Sequence, residues 1–122
     1  MKFILAIAAS LLVFATPSIA QSRFDNFKGE ILIPRTSDGD KGKYFLLESK
    51  RIGSIVATLH KRVGVSETGY SRSEINCKAS LINDIGYGDD SIENITKYPS
   101  SKSYAPISGS SKSDLFNFVC SK

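Results

Sequence analysis

The run GSIVATLHKRVGV, residues 53–65, constrains the fold of this chain more than any other feature. Its odd-numbered positions are apolar with the single exception of Lys61: Ile55, Ala57, Leu59, Val63 and Val65. Its even-numbered positions include Val56, Thr58, His60 and Arg62. This period of two is typical of an antiparallel strand that buries one face and exposes the other.

A second alternating run, YSRSEINCKASLI at residues 70–82, follows the turn SETG. One parity is apolar and carries Ile75, Cys77, Ala79 and Leu81. We therefore predict a hairpin with a common apolar face, on which Cys77 points into the core. The candidate binding surface is the polar face of this hairpin, with Thr58, His60, Arg62, Arg72, Glu74 and Lys78.

The N-terminus predicts a signal peptide over residues 1–20, cleaved between Ala20 and Gln21. Lys2 precedes an apolar stretch that is shorter than the roughly 20 residues of a membrane-spanning helix, and small residues precede the cleavage position. No later run is long and apolar enough to span. We expect an exported protein, periplasmic or extracellular, of about 100 residues after cleavage.

The chain contains two cysteines, Cys77 and Cys120. Exported compartments allow disulfides to persist, and an intramolecular bridge between these two would stabilise a small core by roughly 3–4 kcal/mol. An intermolecular bridge and two free thiols are the alternatives. The bridge would hold the C-terminal segment against the hairpin.

The remaining segments predict a small α+β protein. Residues 21–43 are expected to form a lead-in with a short strand at 30–34 and a turn-rich loop, and residues 44–122 a single domain. Residues 44–50 indicate a strand, the two glycines of 83–90 are expected to bend or end one, and 91–98 fits a short strand or one helical turn. Ser111 and Asp114 resemble a capping box that begins a helix ending at Cys120. The predicted fold is an antiparallel meander of three to six strands with this short helix packed on it.

The charge pattern bears on the class of partner. The net charge is +4, and the basic residues are scattered rather than clustered in a stripe, which argues against a nucleic-acid binder. A protein of the cell envelope or of a host extracellular matrix is the expected partner.

Few residues suggest catalysis. An inward, oxidised cysteine provides no thiolate nucleophile. His60 and Glu74 would be the acid–base pair of a small secreted ribonuclease, but an ordinary solvated strand face with cross-strand charge pairs is the favoured explanation. Asp38 and Asp40 fail the calcium-loop register. We predict no catalytic, cofactor-binding or metal-binding residue and no cofactor.

Four short elements resemble small exported bacterial proteins related to surface-adhesin protein E. They are Ile75-Asn76-Cys77, Tyr104-Ala105-Pro106, Gly109-Ser110 and Val119-Cys120, within about residues 44–120. The resemblance implies a helix tied to an antiparallel sheet by the cysteine pair, and an adhesin-like capture of extracellular proteins. The chain lacks the lipidated cysteine of surface-anchored members, and the shared motif carries no catalytic residues.

The sequence thus favours an exported, non-enzymatic binding module. A small secreted hydrolase and an inhibitor of an extracellular enzyme such as lysozyme are the alternatives. The basic charge counts against the inhibitor, because lysozyme is itself basic and like charges slow encounter.

Overall fold

The computed structural model describes residues 24–120. The predicted signal peptide and its cleavage site at Ala20 and Gln21 lie outside these residues. Six strands form one antiparallel sheet in chain order: β1 (Asn26–Leu32), β2 (Lys43–Ile52), β3 (Ile55–Val63), β4 (Thr68–Asn76), β5 (Leu81–Asp89) and β6 (Thr96–Lys97). A single α-helix, α1 (Ser111–Cys120), follows, so the predicted α+β meander is confirmed.

The core lies between one face of the sheet and α1. Val56 of β3 stands opposite Ile75 of β4, and both are fully buried. The other buried members of this cluster are Phe24, Ile33, Leu46, Ile82, Leu115 and Val119. Each such side chain contributes about 1.5–3 kcal/mol by leaving water, which explains why a helix of ten residues stays docked.

The two ends of α1 are fixed locally. The Ser110 hydroxyl accepts a hydrogen bond from the Ser113 amide at 3.1 Å, so Ser110 caps the helix and the predicted capping box at Ser111 is wrong. Asp114, the expected partner in that box, points elsewhere. At the other end Cys120 forms the predicted disulfide with Cys77, which confirms the intramolecular bridge.

The face assignment of β3 is a correction. The register pairs Ile55 with Asn76 and Val56 with Ile75, so the even-numbered side chains of β3 face α1. The sequence misleads because β3 is central and has no exposed residue, with Leu59 buried on the opposite face. A strand buried on both faces loses the one-sided alternation on which parity arguments rely.

The end of the second predicted strand is also a correction. Strand β4 stops at Asn76, whose side-chain oxygen accepts a hydrogen bond from the Ala79 amide at 2.9 Å. Ser80 adopts a left-handed φ of 59°, and the chain reverses into β5. Cys77 therefore lies in a turn at the sheet margin, and Ala79 is exposed rather than buried.

The glycines of residues 83–90 do not end a strand, since β5 runs through them. A Cβ on Gly88 would lie 2.5 Å from the main chain at Asn94 and Ile95. These glycines instead let the following segment pass close against β5. That segment contains both of the predicted alternatives, a single 3-10 turn at Ile92–Asn94 and the short strand β6.

Candidate functional site

The six residues of the predicted binding face do not form one surface. Thr58 and His60 lie on the face of the sheet that α1 covers, where their side chains are only 3% and 6% exposed. Arg72 and Glu74 are exposed on the opposite face. Lys78 is exposed in the β4–β5 turn, and Arg62 is held by Asp40 at 2.7 Å. The reversed parity of β3 is the reason for this split.

A polar network that is buried at Ser73 and His60 and partly exposed at Asp84 occupies the helix side of the sheet. Ser73, at its centre, donates a hydrogen bond to the Asp84 carboxylate at 3.0 Å and lies 3.2 Å from the His60 Nε2 atom. The same carboxylate accepts from Tyr104 and from Lys112, each at 2.8 Å. Asp84 thus ties β5 to both the long loop and α1.

The protonation of this network follows from its geometry. Burial raises the pKa of Asp84, but hydrogen bonds from Lys112, Tyr104 and Ser73 outweigh it and lower the pKa, so the carboxylate is ionised. The Ser73 hydroxyl has a single proton, which it donates to the ionised Asp84 carboxylate. It must then accept a hydrogen bond from the Nε2–H of His60. Burial, with the nearby charge of Lys112, lowers the pKa of His60 to about 3.

This network cannot activate a nucleophile in the manner of a serine hydrolase. A serine nucleophile gives its proton to histidine, whereas here His60 donates to Ser73. Ser73 is also only 1% exposed. The arrangement holds elements together and leaves His60 without access to a substrate.

The ribonuclease hypothesis required His60 and Glu74 on one face, and the structure separates them. His60 stands opposite Ser71 and lies on the helix side, whereas Glu74 stands opposite Ala57 and points to the other face. No acid–base pair forms from these two residues.

A second ionic cluster fixes the loop between β1 and β2. The buried Asp114 carboxylate of α1 accepts from the Arg35 Nε atom at 2.6 Å and from the Thr36 hydroxyl at 2.6 Å. Further along the loop, Asp40 accepts from Arg62 and from the Tyr44 hydroxyl. Hydrogen bonds from Arg62, Tyr44 and Gly42 hold the pKa of Asp40 well below its ordinary value.

The face of the sheet opposite α1 carries a cleft of about 340 Å³ between β1, β2, β3 and β4, which we call the basic cleft. Its floor includes Ala57 and Leu59, and Leu59 is only 1% exposed. Three cations from three strands line it: Lys28, Lys50 and Arg72. Glu48 is the single acidic residue of the lining.

In the described part of the chain, the cations of the basic cleft differ from five other cations of the fold in having no carboxylate partner. Arg35, Arg51, Lys61, Arg62 and Lys112 all form ion pairs with carboxylates. Within residues 24–120, Lys28, Lys50 and Arg72 form none within 4.0 Å. The lining thus carries three cations against one anion, an excess of positive charge that favours anionic groups.

Among the described residues, no group of three or more His, Cys, Asp or Glu side chains is arranged to hold a metal ion. No helix within residues 24–120 is long and apolar enough to cross a membrane.

Several residues of these sites escaped the sequence analysis. Asp84, Tyr104 and Lys112 are far apart in the chain and carry no local pattern, so only the packing of α1 brings them together. Lys28 and Lys50 also had no signal in the sequence. The register of β1, β2 and β3 places Lys28 in the same row as Arg72 and Lys50 in the neighbouring row. That register depends on irregularities in β1 and β2 that the alternation does not reveal.

Comparison with known proteins found no matching family model, no match among curated proteins and no matching solved structure.

Proposed function

We propose that this chain is an exported binding protein that engages an acidic protein of the cell envelope or of a host matrix through the basic cleft. The observation that carries the proposal is the convergence of Lys28, Lys50 and Arg72, all without ion pairs among the described residues, above the apolar floor at Leu59. An apolar floor with a charged rim is the usual composition of a protein-binding surface.

The distribution of charge supports a binding role. Five other cations stabilise the fold through carboxylates, and Arg35 with Asp114 and Lys112 with Asp84 are examples. The cations of the basic cleft lack such partners within residues 24–120. An acidic partner can therefore bury them without breaking an ion pair of the fold. The Arg72 guanidinium can also bind a carboxylate through two parallel hydrogen bonds.

Export and the adhesin-like role belong to the same proposal. The N-terminal sequence has the composition of a signal peptide, and the Cys77–Cys120 bridge suits an oxidising compartment. The resemblance to adhesin-related proteins suggests an extracellular ligand. Mass spectrometry of the protein from fractionated cells tests export, since a chain that begins at Gln21 and is found outside the cytoplasm is expected.

The binding claim is tested by capture from envelope and host-matrix extracts on the immobilised protein. We expect Lys50→Glu/Arg72→Glu to lose at least about ten-fold of the capture at low salt, and the wild-type capture to fall as salt rises. The matched control is Lys41→Glu/Lys102→Glu, which makes the same charge change at two exposed loop residues.

Two outcomes contradict the proposal. Equal losses in both double variants would mean that net charge, rather than the basic cleft, governs capture. Capture that disappears after nuclease treatment would replace the acidic protein by a nucleic acid. Circular dichroism of each variant checks that the sheet is intact.

A further inference from the structure

Strand β1 forms an open edge of the sheet. Among residues 24–120 it pairs with β2 alone, and five of its seven residues are exposed. The opposite margin is better covered, since β6 pairs with part of β5 and Tyr104 forms a main-chain bridge to Ile82. An open edge presents unpaired amides and carbonyls that can add another strand.

The main-chain groups at both ends of β1 show which residues point outward. The Asp25 carbonyl accepts from the Arg51 amide at 2.7 Å, and the Ile33 amide donates to the Tyr44 carbonyl at 2.8 Å. Both odd-numbered positions thus face β2. Main-chain groups alternate along a strand, although the pairing of β1 with β2 is irregular between Lys28 and Ile31. On either side of this irregularity the main-chain groups of the even-numbered residues face away from β2: Asn26 and Lys28 before it, and Leu32 after it.

The sequence of this edge, NFKGEIL, is complementary to itself in the antiparallel direction. When a second copy is placed with a two-fold axis at Gly29, Lys28 stands opposite Glu30 of the other copy and Phe27 opposite Ile31. A two-fold axis makes each of these contacts twice.

The faces of the strand agree with this pairing. Glu30 forms an ion pair with Lys61 at 2.7 Å, and Lys28 lines the basic cleft, so both charges lie on the face away from α1. Phe27 and Ile31 pack against the core on the helix side. Self-pairing therefore matches opposite charges on one face and apolar side chains on the other.

A shift of the two-fold axis away from Gly29 by one residue produces a clash of charge. Moving the two-fold axis by one residue brings Lys28 opposite Lys28 of the other copy, or Glu30 opposite Glu30. A lysine on an edge strand normally prevents such pairing, and here Glu30 two residues later compensates it. Pro34 ends the pairing segment, because proline cannot donate a main-chain hydrogen bond.

We propose that two copies of this chain pair through their β1 edges, antiparallel about Gly29, to form one continuous sheet. A single strand edge buries less area than the roughly 1,600 Å² of a standard interface, so the dimer is expected to be reversible and concentration-dependent. The basic clefts of both copies then lie on the same face of the joined sheet.

The test is sedimentation equilibrium of the protein purified from the producing cell, over a concentration series into the millimolar range. The wild type is expected to be a monomer–dimer mixture. Lys28→Glu and Glu30→Lys are each expected to weaken dimerisation at least about ten-fold, because each places like charges opposite one another twice. An equimolar mixture of the two variants restores both attractive pairs, so it is expected to dimerise as heterodimers, and so is the double variant Lys28→Glu/Glu30→Lys.

Lys102→Glu is the matched control, since this exposed loop lysine has the same charge change away from the edge. A wild type that stays monomeric at every concentration overturns the proposal. Dimers that persist unchanged in Lys28→Glu, or a mixture that fails to restore them while both variants keep a native circular dichroism spectrum, overturn it as well. Slower hydrogen exchange of the Lys28 and Leu32 amides at high concentration is the independent readout.

Discussion

At the scale of single residues, the fold depends on polar side chains that are buried with partners. Thr58 donates to the Ser73 carbonyl at 3.0 Å, and His60 and Asp84 share the Ser73 hydroxyl. A buried polar group without a hydrogen-bond partner destabilises the fold by about 1–3 kcal/mol. These hydrogen bonds therefore allow polar residues to be buried beneath α1. It also requires His60 to stay neutral.

That requirement predicts the pH dependence of stability. The unfolded chain protonates His60 near pH 6.5, whereas the folded protein keeps it neutral down to about pH 3. Between these values the unfolded state binds more protons, so stability falls as the pH falls. We expect the free energy of unfolding to drop by about 2 kcal/mol between about pH 6.5 and about pH 4.5, measured by urea denaturation.

His60→Gln is the matching variant, because glutamine keeps a neutral donor for Ser73 and does not titrate. His60 is the only histidine, so no other side chain of that type titrates in this interval. The variant is expected to show a nearly flat profile over it. An equal drop in both proteins would mean that His60 is accessible to protons in the folded state.

The residue scale is also where sequence-based prediction failed most clearly. Arg72 and Glu74 were placed correctly on an exposed face, whereas Thr58 and His60 were not. Their polarity suggested exposure, but Ser73 satisfies them in the interior. Hydrogen bonds formed across neighbouring strands leave no trace in the sequence of either strand.

At the scale of elements, the helix and its covalent tie were predictable. The apolar face of the C-terminal segment and the even cysteine count in an expected exported chain were sufficient for α1 and its bridge. Strand β5 was not predictable, because the glycines in its sequence are typical of residues that bend or end a strand. They are required by the close approach of Asn94 and Ile95, which belongs to tertiary packing.

The contribution of the bridge is a prediction at this scale. Cys77 and Cys120 are 43 residues apart, and a closed loop of that length restricts the unfolded chain by about 4 kcal/mol. Cys77→Ser/Cys120→Ser is expected to lose that amount in urea denaturation, and reductant should lower the wild type to the same level. If the double variant is as stable as the oxidised wild type, α1 is held by Leu115, Val119 and Asp114 without help from the bridge.

At the scale of the whole molecule, residues 24–120 place one helix on one face of a six-stranded sheet and put no element on the other face, which we call the open face. The covered face accounts for stability, through the apolar cluster and the Asp84 and Asp114 ion pairs. The open face carries the basic cleft and adjoins the β1 edge. The sequence predicted the layers, but the register that gathers Lys28, Lys50 and Arg72 depends on irregular pairing that periodicity cannot reveal.

The central claim is that the open face binds an acidic partner, and lysine footprinting tests it most directly. The free protein and its complex with the captured partner are acetylated, and the modified lysines are quantified by mass spectrometry. We predict that the partner protects Lys50, while Lys102 in the loop and Lys112 on the helix side react equally in both states. Protection of Lys112 with an unchanged Lys50 would contradict the claim.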